Sequence, residues 1–442
     1  MNQNTINVTD VIDEHKLGRR QIFILLMCGF LMILDGFDIQ AIGYVAPAIM
    51  QEWQLDKAVL GPIFGAGLFG LLLGSLIFSV AADKLGRRPI LIGTTFFFAV
   101  CMLITPLATT VEQLAWIRFV TGLGLGAIMP NAMALCGEIT PKHQRISVMM
   151  LISGGFTAGA LLGGLLAAMI IPRWGWESVF VFGGILPLIL SIVMAFTLPE
   201  SLQFLKTKPQ NTPKIKKTLR SFFPQQAMDE HTQIESIVSK ESKVPFVALF
   251  QHNRTFFTLT IWLISLLNMI GLYFLSNWLP TLAKTSGFDL EQAVLLGAML
   301  QLGGLLGTVL LGRWIDKNGF YKILVPSFVL ATCSVALIGA LVGSTAALFA
   351  TVFVAGFTVI GSQPAINALA ANFYPTELRT TGVGWSLGIG RIGSVIGPVL
   401  GGQLVAMNLG MSSLFVFVAI PSVAIIAVLL IQKAGLKRRA MA

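Results

Sequence analysis

Twelve runs of apolar residues leave this chain few ways to fold. They cover residues 21–47, 58–82, 90–110, 114–137, 146–171, 177–198, 255–282, 291–312, 323–343, 346–371, 380–407 and 412–432. A helix of about 20 residues crosses the roughly 30 Å of hydrocarbon in a bilayer. No water satisfies the backbone there, so a spanning segment is a helix or part of a closed barrel. Runs of this length predict helices. The expected fold is an all-α integral membrane protein with twelve transmembrane helices. Only 11% of the residues are charged, where a soluble domain carries about 25%. The 45 glycines suit helices that pack closely in lipid. Residues 1–20 are polar and the first run exceeds a signal-peptide core, so no cleavable signal is expected. Cys28, Cys101, Cys136 and Cys333 all sit in apolar runs without metal-ligand spacing. Neither a disulfide nor a cofactor is expected from them.

The basic residues give an orientation. Of 30 Lys and Arg, 25 fall at the termini, in the central polar stretch, or in loops on the same side. The opposite side holds Lys57, Arg173 and Lys284. Basic loops stay cytoplasmic, so both termini are expected inside the cell. The net charge of +10 then reads as topology and attraction to anionic lipid, not as a nucleic-acid surface.

The chain repeats itself at an offset of about 233 residues. Ala82-Asp83-Lys84-Leu85-Gly86 corresponds to Ile315-Asp316-Lys317-Asn318-Gly319, and Pro141 and Arg145 to Pro375 and Arg379. Gly122 and Pro130 match Gly356 and Pro364; Gly154, Gly159 and Gly163 match Gly388, Gly393 and Gly397. The expected organisation is two six-helix pseudo-repeated bundles, residues 1–198 and 255–442, joined by a cytoplasmic loop, 199–254. A binding site is expected between them near the midplane.

Asp83-Lys84-Leu85-Gly86-Arg87-Arg88 resembles the loop 2–3 signature of the major facilitator superfamily. The Gly that the family places four residues before the Asp is Ser79 here, and Gly312 in the second copy. Arg118-Phe-Val-Thr-Gly122-Leu-Gly124-Leu-Gly126 is similar to that family's span-four signature. In span one, Asp35-Gly36-Phe37-Asp38 and then Ala41 to Ile49 resemble the aromatic acid:H⁺ symporter family. The resemblance implies proton-coupled uptake of a small aromatic carboxylate by alternating access. 4-Hydroxybenzoate, protocatechuate, benzoate and vanillate are substrates of that kind. It further implies a bacterial inner-membrane location, and a monomer is expected to suffice.

Four charged residues lie well inside the spans: Asp35, Asp38, Arg118 and Arg391. Each costs at least about 2.5–3.5 kcal/mol at a helix centre unless it meets a partner or water. Asp35 and Asp38 are three residues apart and share a helix face. Two close carboxylates resist ionising together, so one can hold a proton near neutrality. These are the proton-coupling candidates, with Asp35 the better candidate for a mere packing acid. Their second-half counterparts, Asn268 and Gly271, are uncharged. The resemblance implies that Arg118 faces the central cavity. There it is either a partner that Asp35 or Asp38 exchanges on protonation, or one end of a permanent salt bridge. Arg391, whose counterpart is Thr157, is expected to clamp the substrate carboxylate through two parallel hydrogen bonds. The bland alternative is an interhelical or snorkelling arginine.

Gln40, Tyr44, Asn131, Asn268, Tyr273, Asn277, Gln301, Gln363 and Asn367 are mid-span polar candidates for a ring hydroxyl or water. Trp278, Phe37, Trp385 and Phe274 are candidates to sandwich an aromatic ring, although aromatics in spans more often pack or face lipid. Outside the spans, Asp83, Arg87, Arg88, Glu138 and Arg145 form one charged cluster, and Asp316, Lys317, Glu377 and Arg379 a second. A gate latch explains the acids, which plain topology charge does not. His15, His143, His231 and His252 lie in loops, so the proton path is expected to rest on the aspartates. Rival readings are an efflux antiporter and a receptor for the same acids. Span five carries Gly163-Gly164 without the Gly-Pro pair of drug antiporters. An enzyme is not expected, since no nucleophile elbow or phosphate loop occurs.

Overall fold

The computed structural model describes residues 5–206, 209–223, 233–234, 246–251 and 254–441. Among these residues, twelve spans are long and apolar enough to cross a membrane. A short helix α1 (Val8–Glu14) leads into α2 (Arg19–Glu52), α3 (Leu60–Leu85), α4 (Arg87–Ile104), α5 (Val111–Gly126), α6 (Ile128–Ile139), α7 (Lys142–Trp174) and α8 (Glu177–Thr197). Two short helices follow, α9 (Leu202–Lys206) and α10 (Thr212–Phe222). The second half is α11 (Thr255–Thr285), α12 (Leu290–Asn318), α13 (Phe320–Ile338), α14 (Thr345–Phe373), α15 (Thr376–Ala406) and α16 (Met411–Met441). Strand β1 (Thr5–Ile6) pairs in parallel with β2 (Gln233–Ile234), tying the N-terminal segment to the central one.

All twelve apolar runs are helical, and most helices overshoot them because polar turns stay helical at the headgroup level. Gly86 at φ 102° and Gly319 at φ 84° end α3 and α12 at repeat-related positions. Only glycine adopts such backbone freely. The run at 323–343 ends early, at Ile338, where Gly339 is pressed against the Met411 carbonyl of α16. The fourth span breaks at Ala127 into α5 and α6. Pro130 has no N–H to give the Gly126 carbonyl and crowds it. Asn131 Nδ2 donates to the Ala127 carbonyl at 2.8 Å, satisfying a group near the break.

The two halves repeat one packing scheme. In the first, α2 packs on α7, α3 on α5 and α4 on α8; in the second, α11 packs on α15, α12 on α14 and α13 on α16. Glycine makes the closest of these contacts. Gly70 and Gly74 of α3 lie against the Phe119 and Leu123 carbonyls, as Gly303 and Gly307 of α12 lie against those of Phe353 and Phe357. Gly36 of α2 meets the Phe156 carbonyl, and Gly159 of α7 that of Ile33.

Between the halves, α3 packs on α15, α7 on α12 and α2 on α11. The close approaches lie at the end remote from both termini. A Cβ on Gly43 would stand 2.9 Å from the Ser276 carbonyl, one on Gly61 3.1 Å from Gly402 Cα, and one on Gly164 2.9 Å from Ala298 Cβ. Toward the other end, Gly154, Gly384 and Gly388 have nothing within 4 Å of a Cβ position. The close approaches between the halves therefore gather at one end.

Gly159→Val forces the α2–α7 contact apart and is expected to cost about 1–3 kcal/mol. Gly93→Ala, which meets nothing within 4 Å, is expected to stay within about 0.5 kcal/mol of the parent. Thermal unfolding of the detergent-solubilised protein separates the two. Equal melting temperatures would remove the close-packing argument.

Candidate functional site

The tight α2–α7 seam fixes the rotation of α2. With Gly36 turned into that seam, Asp38 faces α5. Arg118 Nη1 donates to Asp38 Oδ1 at 3.0 Å; Nη2 donates to Oδ2 and to the Asp38 carbonyl, both at 3.2 Å. The guanidinium also lies 3.6 Å from Met102 Sδ of α4 and 5.7 Å from the ring centroid of Phe180 in α8. Asp38 is 0% and Arg118 3% exposed. This is a desolvated ion pair with a supporting ring face, a geometry in which loss of one partner is costly. Of the two aspartates open to Arg118 from the sequence, the partner is Asp38, because α2's rotation points position 38 at Arg118.

Asp35 is equally buried, yet its Oδ1 has no hydrogen-bond partner. The opposing charge that acts on it comes from the other half: Arg391 of α15. Arg391 Nη1 is likewise buried and without a partner, and Tyr273 of α11 lies within electrostatic reach of both. An acid of the first half and a base of the second thus act on each other electrostatically, and neither forms an ion pair among the described residues.

The other polar candidates divide into braces and open groups. Tyr44 donates its hydroxyl to the Ala160 carbonyl at 2.9 Å, and its ring is wedged beside Gly164 and Gly297. Gln301 Nε2 donates to Ser276 Oγ at 3.3 Å. Asn268 Nδ2 donates to Gln363 Oε1 at 2.7 Å, and Gln363 Nε2 to Asn367 Oδ1 at 3.4 Å. This polar chain runs from buried Asn268 to half-buried Asn367. Gln40 is buried with Oε1 unpartnered. Asn277 donates Nδ2 to the Tyr273 carbonyl at 2.9 Å.

Trp278 is fully buried. It donates Nε1 to the Pro398 carbonyl at 3.0 Å and meets Phe64 edge-on at 5.3 Å. Phe37 is packed against Gly163 and Gly183, and Phe274 against Phe415. These three rings occupy helix seams. Trp385 is half-exposed in a cluster with Trp262 and Phe246, remote from the closed end.

The loop charges of the first half form a network within that half. Arg87 pairs with Glu138, whose Oε2 accepts from Ser201 Oγ at 2.5 Å. Glu200 Oε1 accepts the backbone N–H groups of Arg87 and Arg88 at 2.9 and 3.1 Å. Arg88 Nε donates to the Leu198 carbonyl at 2.7 Å. Asp83 is exposed and acts on Arg87. Arg145 pairs with Asp13 at 3.4 Å, and Asp13 also accepts the Lys142 N–H at 2.8 Å. Sequence reasoning did not single out Glu200, Ser201 or Asp13. The signal for Glu200 was present: it is an acid just past a span, in a basic loop. In the second half, Asp316, Lys317 and Arg379 are exposed and form no ion pair among the described residues. The side chain of Glu377, like His231 and His252, lies outside the described residues.

Comparison with known proteins places this geometry. The Major Facilitator Superfamily family model matches residues 28–386 and 261–440. The chain is 37% identical to the 4-hydroxybenzoate transporter PcaK of Pseudomonas putida, covering 95% of this chain and 94% of that protein. It is 35% identical to the gallate transporter of the same species, covering 95% and 93%. The structure superimposes on the inward-open conformation of the xylose transporter XylE from E. coli with a TM-score of 0.70 at 17% identity, over 92% of this chain and 95% of that one.

Asp38→Asn leaves the Arg118 charge buried without its counter-ion and is expected to cost about 3–5 kcal/mol of stability. Asp35→Asn, which breaks no ion pair, is expected to leave the melting temperature near that of the parent. Adding Arg118→Gln to Asp38→Asn should recover part of the loss, as coupled neighbours do. Thermal unfolding of purified protein tests all three, and equal destabilisation by the two single changes would refute the distinction.

Proposed function

Because the chain belongs to the major facilitator superfamily, a family of multi-pass membrane transporters, we propose that it takes up a small aromatic carboxylate together with protons by alternating access. 4-Hydroxybenzoate, protocatechuate, benzoate and vanillate are the substrates to test first. The names of its relatives support the substrate class, since 4-hydroxybenzoate and gallate are both hydroxylated ring acids. The distribution of Lys and Arg supports cytoplasmic termini, and the bacterial sources of its relatives support an inner-membrane location.

The observation that carries the coupling is the unengaged Asp35 facing the unengaged Arg391 across the halves. In the empty carrier an ionised Asp35 is the carboxylate whose charge acts on Arg391. A proton on Asp35 neutralises that competitor. The Arg391 guanidinium then accepts a substrate carboxylate, to which it donates two parallel hydrogen bonds. The site carries the same net charge empty as when loaded with one proton and one carboxylate. Reorientation therefore moves no additional buried charge through the low-dielectric layer, which would be costly. Asp38 stays on Arg118 and fixes the helix that presents Asp35. The polar chain from Asn268 to Asn367 supplies partners for a ring hydroxyl.

The halves rock between the closure seen here and its opposite, with the first-half charge network acting as one face of a latch. Asp316, Lys317 and Arg379, exposed in this state, supply the other face when the terminal end shuts.

Uptake of radiolabelled 4-hydroxybenzoate should rise as external pH falls and collapse with a protonophore. Uptake indifferent to a protonophore sinks the symport reading. Asp35→Asn should abolish accumulation while retaining substrate exchange. Arg391→Ala should weaken carboxylate binding by about 10- to 100-fold relative to the neutral amides, the worth of hydrogen bonds to a charged group. Equal loss for acid and amide would assign Arg391 to structure.

A further inference from the structure

Arg118 has one donor left over. Its Nη1 and Nη2 are engaged with Asp38, but Nε is buried and has no partner. Arg118 also lines a cavity of about 10 Å³, room for about one water molecule. The walls are apolar, from residues such as Ile39, Ile63 and Phe64, with two polar side chains among them: Arg118 of the first half and Asn277 of the second. Asn277 is 2% exposed. One N–H of its Nδ2 donates to the Tyr273 carbonyl of its own helix, which turns the amide so that Oδ1 remains available as an acceptor. This is also where the halves approach closely: a Cβ on Gly43 would lie 3.2 Å from Asn277 Cα.

We propose that this cavity binds a single water molecule, which accepts from Arg118 Nε–H and donates to Asn277 Oδ1. The water joins the buried ion pair of one half to α11 of the other. Asn277 is thereby a positioning residue for the closed end, not a substrate contact. The inference rests on the reading that the two halves move against each other. When they part at this end, Asn277 withdraws from Arg118, and the donor must find other water. The link exists in one state only, so it weights the balance between states without touching substrate. A bridging water is nearly as good as a direct hydrogen bond and adapts to small shifts that a direct bond does not tolerate.

The test reads the seam directly. Ala298 is buried where α12 crosses Gly164 of α7, so a cysteine there reacts when the halves separate. Full-length protein carrying Ala298→Cys, with the exposed Cys333 changed to Ser, is labelled with a hydrophilic maleimide in detergent, without substrate. Asn277→Leu, similar in size but unable to accept, should raise the labelling rate about three- to tenfold, the size of typical coupling effects. Asn277→Asp places a carboxylate opposite Arg118 and should lower the rate below that of the parent. Labelling of Asn277→Leu at the parental rate, even with altered substrate affinity, overturns the proposal. So does faster labelling of Asn277→Asp, which also decides the matter if the leucine variant does not fold. Because the readout needs neither substrate nor proton gradient, it can fail while symport stands, and symport can fail while it holds.

Discussion

An arginine inside a hydrocarbon layer must be answered by its neighbours, and Arg118 is answered from several helices at once. The carboxylate and carbonyl of Asp38 come from α2, a thioether from α4 and a ring face from α8, while α3 packs against its own helix through Gly67. Charge neutralisation in a low dielectric is strong only when geometry and packing are both good. Here the requirement of one guanidinium gathers four elements and holds the first half as a unit. The same rule shows why Asp35 and Arg391 stand apart. Asp35 is buried and Arg391 half-buried, and neither has an ionic partner among the described residues to offset that burial. The Asp38–Arg118 charges neutralise each other at 3.0 Å, whereas Asp35 and Arg391 form no ion pair among the described residues, which is what the proposed exchange of proton and carboxylate requires.

Glycine contacts give the rest of the scaffold its stiffness. With backbone against backbone at Gly36, Gly70, Gly74, Gly159, Gly303 and Gly307, helices within a half have little freedom to slide. Lipid offers no hydrophobic drive for such contacts, so close packing supplies the attraction. Motion is thereby directed to the seams between halves, where α3 meets α15 and α7 meets α12. The repeat exchanges these two seams, which makes them equivalent hinges in form.

Hydropathy made the twelve spans legible, because spanning length is imposed by the bilayer and not by partners. The repeat was legible for a related reason: glycines and prolines that shape helix contacts recur at one offset. The four interior charges were legible from their cost alone. What the sequence left open was azimuth. Asp35 and Asp38 share a face, and the choice of which meets Arg118 depends on Gly36 being turned toward Phe156, a contact 120 residues away in the chain. Aromatics posed the same difficulty. Trp278 and Phe274 have no sequence mark that separates a helix seam from a cleft, and both lie in seams. Glu200 stands outside every motif, yet like Asp83 and Asp316 it is an acid in a basic loop, and it accepts the Arg87 and Arg88 N–H groups.

The two unengaged charges sit on different halves of a duplicated scaffold. That placement divides the labour of the molecule. On the proposed mechanism, the half bearing Asp35 sets the energetic currency, and the half bearing Arg391 and the Asn268 chain sets which anion is accepted. Changes of diet can then be accommodated by drift on one side of the cleft while the other side is preserved. A chain built this way can diversify its cargo without relearning how to be driven.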